Sequence, residues 1–255
     1  MAVLSEIGTV FFILAIMNQL LVYPMSEKAI VISFGDAISL EIHKQLIALR
    51  QALESRPFHG YIESVPAYNT LTVYYEPAEY ARSEVTTASP VFVYVRAYLL
   101  KLIHEPLASP LESSLEHVIP VCYGGSYGPD LLDVARTLKM DPAEIINLHR
   151  QVKYTVFMMG FVPGFAYLGE LPETLIVARR PTPRSKVAAG SLGIAGRQTG
   201  IYPIEVPGGW QLIGQTPLTL FNPSRPSPAL LSAGDQVIFN PISAEEYMHL
   251  KEQEK

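Results

Sequence analysis

The chain of 255 residues has one cysteine, Cys122, so no intramolecular disulfide can form and a reducing compartment, the cytoplasm, fits best. Cys122 lies in Ile119-Pro120-Val121-Cys122-Tyr123, which reads as a strand and makes it a buried structural thiol rather than a nucleophile. Charge is sparse and mildly acidic, with a net value of −5, which argues against a nucleic-acid-binding chain. No histidine occurs between His149 and His249, so that stretch lacks the commonest general base and cannot hold a Ser-His-Asp or Cys-His arrangement. His43 and His149 fall on expected helices and read as ordinary surface or boundary residues. No Gly-x-x-x-x-Gly-Lys-Ser/Thr loop and no dinucleotide fingerprint occur, so nucleotide handling of those kinds belongs to a partner. No His or Cys pair has metal-ligand spacing, so no metal site is expected.

Basic residues are missing before Lys28, so the apolar run from Ile7 to Tyr23 has no charged n-region of a signal peptide. Asn18 and Gln19 interrupt it, leaving it short for a spanning helix. Residues 1–22 therefore read as an apolar extension, or as an over-long start with Met17 the initiator, and membrane anchoring is disfavoured.

What is present is patterned. Ala29 to Phe34 reads as a strand; Ser39 caps a helix whose buried face is Ile42, Leu46, Leu49 and Leu53. Two strands follow, around 60–66 and 70–75, then a helix opened by Ser89-Pro90. That order, strand-helix-strand-strand-helix, gives a two-layer α+β domain over 23–108. Glu105 to Ser114 reads as a linker. Glu116 to Tyr123 is a strand, Asp130 to Leu138 a helix, and Asp141-Pro142-Ala143-Glu144 resembles a capping box. Beyond Lys153 short apolar runs alternate with Gly and Pro, and ten of the 17 glycines lie from Gly160 to Gly214, which fits a mainly-β barrel over 115–243. Residues 244–255 read as a charged, exposed helical tail.

From Thr174 to Ile204 there is no Asp or Glu, yet Arg179, Arg180, Arg184, Lys186 and Arg197 are there. Guanidinium forks match carboxylate or phosphate oxygens, and the interspersed glycines let backbone N–H groups approach an anion. The functional reading is an anion-binding wall; the bland one is a solvated barrel rim with turn glycines. On the first, Arg184, Lys186 and the backbone at Gly190-Ser191 hold the anion, and Gln198, Thr199 and Tyr202 hydrogen-bond it. Trp210 either stacks on a substrate ring or joins the core. Glu170, Glu173, Glu205 and Asp235 are the nearest acids that could serve as a base.

Three segments sharpen this: Gly160-Phe161-Val162-Pro163-Gly164-Phe165-Ala166-Tyr167-Leu168; Pro183-Arg184-Ser185-Lys186 through Gly200-Ile201-Tyr202-Pro203; and Pro207-Gly208-Gly209-Trp210-Gln211-Leu212-Ile213-Gly214. In order and spacing they resemble the KipI/PxpB family, also called allophanate hydrolase subunit 1, with a carboxyltransferase subdomain. Tyr23-Pro24, Phe34-Gly35-Asp36 and Val65-Pro66-Ala67-Tyr68 extend the resemblance over roughly Tyr23 to Ser243. Ala188 stands where proline is common and Leu192 where valine is common, and neither change removes a polar group. The resemblance implies a cyclophilin-like barrel and a role as the B-type subunit of an ATP-dependent 5-oxoprolinase, which opens 5-oxoproline to glutamate. It implies A- and C-type partner subunits, with ATP held at the level of the complex on a partner. Two other family roles stay open: an inhibitor of a sensor histidine kinase, and the carboxyltransferase half of a biotin-dependent, allophanate-hydrolase-like enzyme.

Overall fold

A computed structural model describes residues 20–36, 39–83, 90–105 and 115–254. The chain divides into two compact units, one ending at Ser113 and the other starting at Ser114. Most of the expected extension (1–19), the Ser89 cap, and the expected linker beyond Glu105 lie outside the described residues.

The first unit is an antiparallel sheet in the order β1-β2-β4-β3, formed by β1 (Leu20–Ser26), β2 (Ala29–Phe34), β3 (Tyr61–Ala67) and β4 (Thr70–Tyr75). Ile30, Ile32 and Phe34 alternate along β2 onto the face shared with Leu71, Val73 and Tyr75 of β4. Onto it pack Ile42, Leu46, Leu49 and Leu53 of α1 (Leu40–Ser55) and Val95, Leu99 and Leu102 of α3 (Val91–Ile103). Each such side chain, fully buried, contributes about 1.5–3 kcal/mol. Ser39 Oγ accepts from the Ile42 N–H at 3.1 Å, which fixes the start of α1. Two elements were not expected. Strand β1 starts inside the supposed extension because Leu20 and Val22 pack against the core and pair with Phe34 and Ile32. A short helix, α2 (Pro77–Ser83), follows β4.

The second unit is a closed seven-stranded barrel in the order β10-β7-β6-β13-β5-β12-β9. Its strands are β5 (Glu116–Tyr123), β6 (Tyr154–Met159), β7 (Ala166–Gly169), β9 (Ser191–Ala195), β10 (Gln198–Ile201), β12 (Gln211–Gln215) and β13 (Gln236–Pro241). Every pair is antiparallel except β13 with β5. Val121, Val156, Leu168, Leu192, Ile194, Ile213 and Phe239 fill the core, joined by Leu131 and Val134 of α4 (Leu131–Leu138) and Ile145 of α5 (Pro142–Arg150). Ala195 and Leu212, next in sequence to core residues, turn the other way and join Phe165, Val187, Tyr202 and Trp210 in a second apolar cluster. Strands β8 (Arg184–Val187) and β11 (Val206–Gly208) form a separate ribbon beside that cluster.

Local details correct the sequence reading at two places. Asp141 caps α5 by accepting from the Ala143 N–H at 2.8 Å, two residues on rather than three. A reciprocal capping box occurs instead at Ser243 and Glu246, at the start of α6 (Ala244–Gln253). That helix is not merely a solvated tail: Tyr247 is buried, its ring 4.5 Å from that of Tyr127, and Lys251 Nζ donates to the Pro217 carbonyl.

Candidate functional site

A cavity of about 280 Å³ opens where the β8–β11 ribbon meets the second apolar cluster. Phe161, Phe165, Tyr167, Tyr202 and Trp210 line it with Arg179, Arg180, Pro183 and Pro207-Gly208-Gly209. Phe165 is the hub of the aromatic wall. Its ring meets those of Phe161, Tyr167, Tyr202 and Trp210 edge-on, with centroids 5.5, 4.8, 5.3 and 5.7 Å away. Phe161 is 59 % exposed and holds a φ of 68°, a left-handed conformation uncommon outside glycine, at the rim. Gly208 is required by the close approach of Tyr202: a Cβ there would lie 2.5 Å from the phenolic oxygen.

Backbone bonds fix the basic side of the cavity. The Arg180 N–H donates to the Gly209 carbonyl at 2.7 Å, and Gln211 Nε2 donates to the Ala178 carbonyl at 3.1 Å. The loop that carries Arg179 and Arg180 is thereby tied to the turn before β12. Tyr202 is tied on both sides, its N–H donating to the Ser191 carbonyl and its carbonyl accepting from the Gly190 N–H.

The absence of acids from Thr174 to Ile204 suggests free cations, but acids elsewhere in the chain reach most of them. Asp130, 2 % exposed, accepts from Arg184 Nη2 at 2.6 Å, Arg180 Nη1 at 3.0 Å and the Leu212 N–H at 2.7 Å. With its carboxylate so engaged, Asp130 makes no side-chain cap on α4. Arg180 Nε and Arg184 Nη1 are buried without a hydrogen-bond partner among the described residues. Lys186 pairs with Glu205 at 3.0 Å, and Arg197 with Glu170 at 3.2 Å and Glu173 at 3.6 Å, all on the surface. Arg179 has no carboxylate within ion-pair distance among the described residues; its guanidinium carbon lies 6.0 Å from the Trp210 ring centroid. Burial pushes the Tyr167 and Tyr202 phenols up, and the Arg179 charge pulls both back down, joined at Tyr202 first by the Trp210 backbone N–H.

Of the expected site residues, Tyr202 and Trp210 line the cavity, and Trp210 belongs both to it and to the cluster behind it. Arg184 stands behind the wall on Asp130. Lys186, Gly190, Ser191, Gln198 and Thr199 are not in the lining. A Cβ on Gly190 would lie 2.3 Å from the Thr216 carbonyl oxygen, and Ser191 is buried in β9. Thr199 is fully buried and bonded to His149 Nε2 at 3.0 Å and to the Gly193 carbonyl at 3.2 Å. Each of the four acids flanking the basic run in sequence is engaged: Glu170 and Glu173 pair with Arg197, Glu205 pairs with Lys186, and Asp235 is hydrogen-bonded to His117 Nε2 at 3.0 Å.

Sequence reasoning missed Asp130, Phe161, Phe165, Tyr167 and the separate character of Arg179. The aromatic spacing at 161, 165 and 167 was a signal for the wall; nothing local marked Asp130. Neither expected surface histidine is exposed: His43 is buried in α1, and so is His149 in α5. His149 is fully buried, stacked 4.8 Å from Phe239, with Nδ1 at 2.9 Å from Tyr123 Oη. Since Thr199 Oγ1 donates to Gly193, it accepts from Nε2–H, and Nδ1 accepts from Tyr123. Burial holds His149 down at a pKa of about 3, so it is a neutral structural group.

Comparison with known proteins places this geometry in a family. The family described as "Carboxyltransferase domain, subdomain C and D" matches residues 20–231. The B-type subunit of 5-oxoprolinase from Bacillus subtilis (strain 168) is 42 % identical over 230 residues, which cover 90 % of this chain and 95 % of that protein. The corresponding B-type subunit from Escherichia coli O157:H7 is 40 % identical over 219 residues, covering 86 % and 94 %. The crystal structure of the K. lactis urea amidolyase shares the fold at 18 % identity, with a TM-score of 0.69 over 92 % of this chain and 15 % of that one. This chain belongs to the carboxyltransferase domain, subdomain C and D, family.

Proposed function

We propose that this chain is the B-type subunit of an ATP-dependent 5-oxoprolinase complex, and that its cavity supplies part of an anion-binding site. The observation that carries the reading is the meeting of an aromatic wall with the guanidinium groups of Arg179 and Arg180, backed by Arg184 and a single buried carboxylate, Asp130. That local excess of positive charge suits a small anion. The B-type 5-oxoprolinase subunits of two bacteria, similar over nearly their whole length, supply the reaction.

On this reading the chain is inactive alone. The cavity lining carries no acid, Asp130 behind it is held by Arg180 and Arg184, and the buried His149 stays neutral, so the described residues offer no unengaged base at the wall. A- and C-type partner subunits complete the site and handle ATP, in the cytoplasm. Tyr202 and Trp210 form the wall, and Arg184 holds it in place through Asp130. Lys186, Gly190, Ser191, Gln198 and Thr199 act through the strands and turns that carry them. The domain division proposed is 23–108 for the α+β part, with its start moved to Leu20 by strand β1, 115–243 for a cyclophilin-like barrel and 244–255 for the terminal helical segment. Mixing the chain with its partner subunits tests the reading: ATP-dependent release of glutamate from 5-oxoproline is expected only with all subunits present. A complete mixture that leaves 5-oxoproline intact, or activity that persists without this chain, would reject it.

The family description favours one second reading, a carboxyltransferase half working with biotin. Its mark would be a biotin-bearing carrier in the purified native complex.

A further inference from the structure

Four of the five basic residues in the acid-free stretch have carboxylate partners: Arg180 and Arg184 on Asp130, Lys186 on Glu205, Arg197 on Glu170 and Glu173. Arg179 is the exception among the described residues, and it lines the cavity over Trp210. We propose that Arg179, rather than Arg184, anchors the carboxylate of a small, flat-ringed monocarboxylic acid in this cavity. The inference rests on the proposed function for the identity of that acid, 5-oxoproline, and deepens it by assigning the subsite.

The observations converge on this ligand class. A cavity of about 280 Å³ accommodates a single small ring. Its lining includes the rings of Phe161, Phe165, Tyr167, Tyr202 and Trp210, whose apolar surfaces suit a flat ligand. The Asp130 cluster is short of acceptors rather than donors, because Arg180 Nε and Arg184 Nη1 are buried with no partner among the described residues. Two guanidinium groups on one carboxylate leave net positive charge behind the wall, which favours an added carboxylate in the cavity and repels a cation. Arg179 can turn toward the ligand without losing an internal ion pair, whereas Arg184 would have to leave Asp130.

Trp210 is the chain's only tryptophan and lines the cavity, so its fluorescence reports on occupancy. The full chain is titrated with 5-oxoproline and with its neutral carboxamide, by fluorescence and by calorimetry on the same solutions, alone and in the assembled complex. Saturable binding of the acid is expected, with the carboxamide weaker by about tenfold or more, the loss of a charge-assisted contact. Arg179→Met should weaken the acid by a similar factor. Arg197→Met, outside the cavity, should leave it unchanged. No heat or fluorescence change with the acid in either form, equal binding of acid and carboxamide, or unchanged binding by Arg179→Met would each overturn the proposal. The two readings fail separately. A complex that cleaves 5-oxoproline with Arg179→Met unimpaired rejects the subsite and keeps the function. Selective binding of the acid by a chain whose complete complex is inactive rejects the function and keeps the subsite.

Discussion

Arg184 and Lys186 are two residues apart and look alike in the sequence, yet their settings predict different behaviour. Arg184 shares the buried Asp130 carboxylate with Arg180, whereas Lys186 meets Glu205 at the surface. Arg184→Ala removes a charge-assisted bond to a buried carboxylate, which Arg180 and the Leu212 N–H still hold, so it should cost about 1.5–3 kcal/mol in urea denaturation. Lys186→Ala should cost no more than about 0.5 kcal/mol. Equal effects would mean that Asp130 does not hold the wall. The basic run was legible because it is contiguous. Its compensation was not, because Asp130 reads in the sequence as the first residue of a helix, and only the folded barrel brings it to Arg184. Gly208 carries a related prediction. A methyl there meets the Tyr202 hydroxyl, so Gly208→Ala should destabilise by about 1–3 kcal/mol and weaken ligand binding, read by thermal denaturation and by Trp210 fluorescence.

At the scale of elements, α5 delivers His149 into the barrel, where it bonds Thr199 of β10 and Tyr123 of β5 and burial keeps it neutral. Burial depresses its folded-state pKa to about 3 from the ordinary value of 6.5. The unfolded chain therefore takes up this proton more readily than the folded one. The stability involved is fully present above about pH 6.5 and is lost as the pH falls toward 3, at up to about 1.4 kcal/mol per pH unit. Between pH 6.5 and 5 the native protein should lose about 2 kcal/mol more than His149→Gln, measured by urea unfolding at both values. Parallel losses would contradict a buried neutral imidazole. The helical period of α5 was legible, but not which of its polar residues the barrel would swallow, because periodicity marks apolar faces. Strands β3, β4 and β5 were legible from alternation and turn residues, and β1 was not, since its exposed apolar residues blur the period. For α6, the capping box at Ser243 implies that Ser243→Ala costs about 1 kcal/mol. A change in urea midpoint of the full chain measures it.

For the whole molecule, the net charge of −5 conceals a local excess of cations at one cavity. The acids are spread over both units, and those near the basic stretch hold strands and loops, which leaves Arg179 as the guanidinium of the wall without a carboxylate partner among the described residues. The Gly- and aromatic-dense stretch from Gly160 to Gly214 marks the site in the sequence itself, because close approaches and edge-on ring contacts demand those residue types locally. Which cations face the ligand depends on contacts with residues far along the chain, and no local pattern encodes them. The most direct test of the account is the KM for 5-oxoproline of the reconstituted complex carrying Arg179→Met. A KM about tenfold or more above that of the native complex, with assembly intact, is the predicted result. A native KM in an assembled Arg179→Met complex would contradict the account.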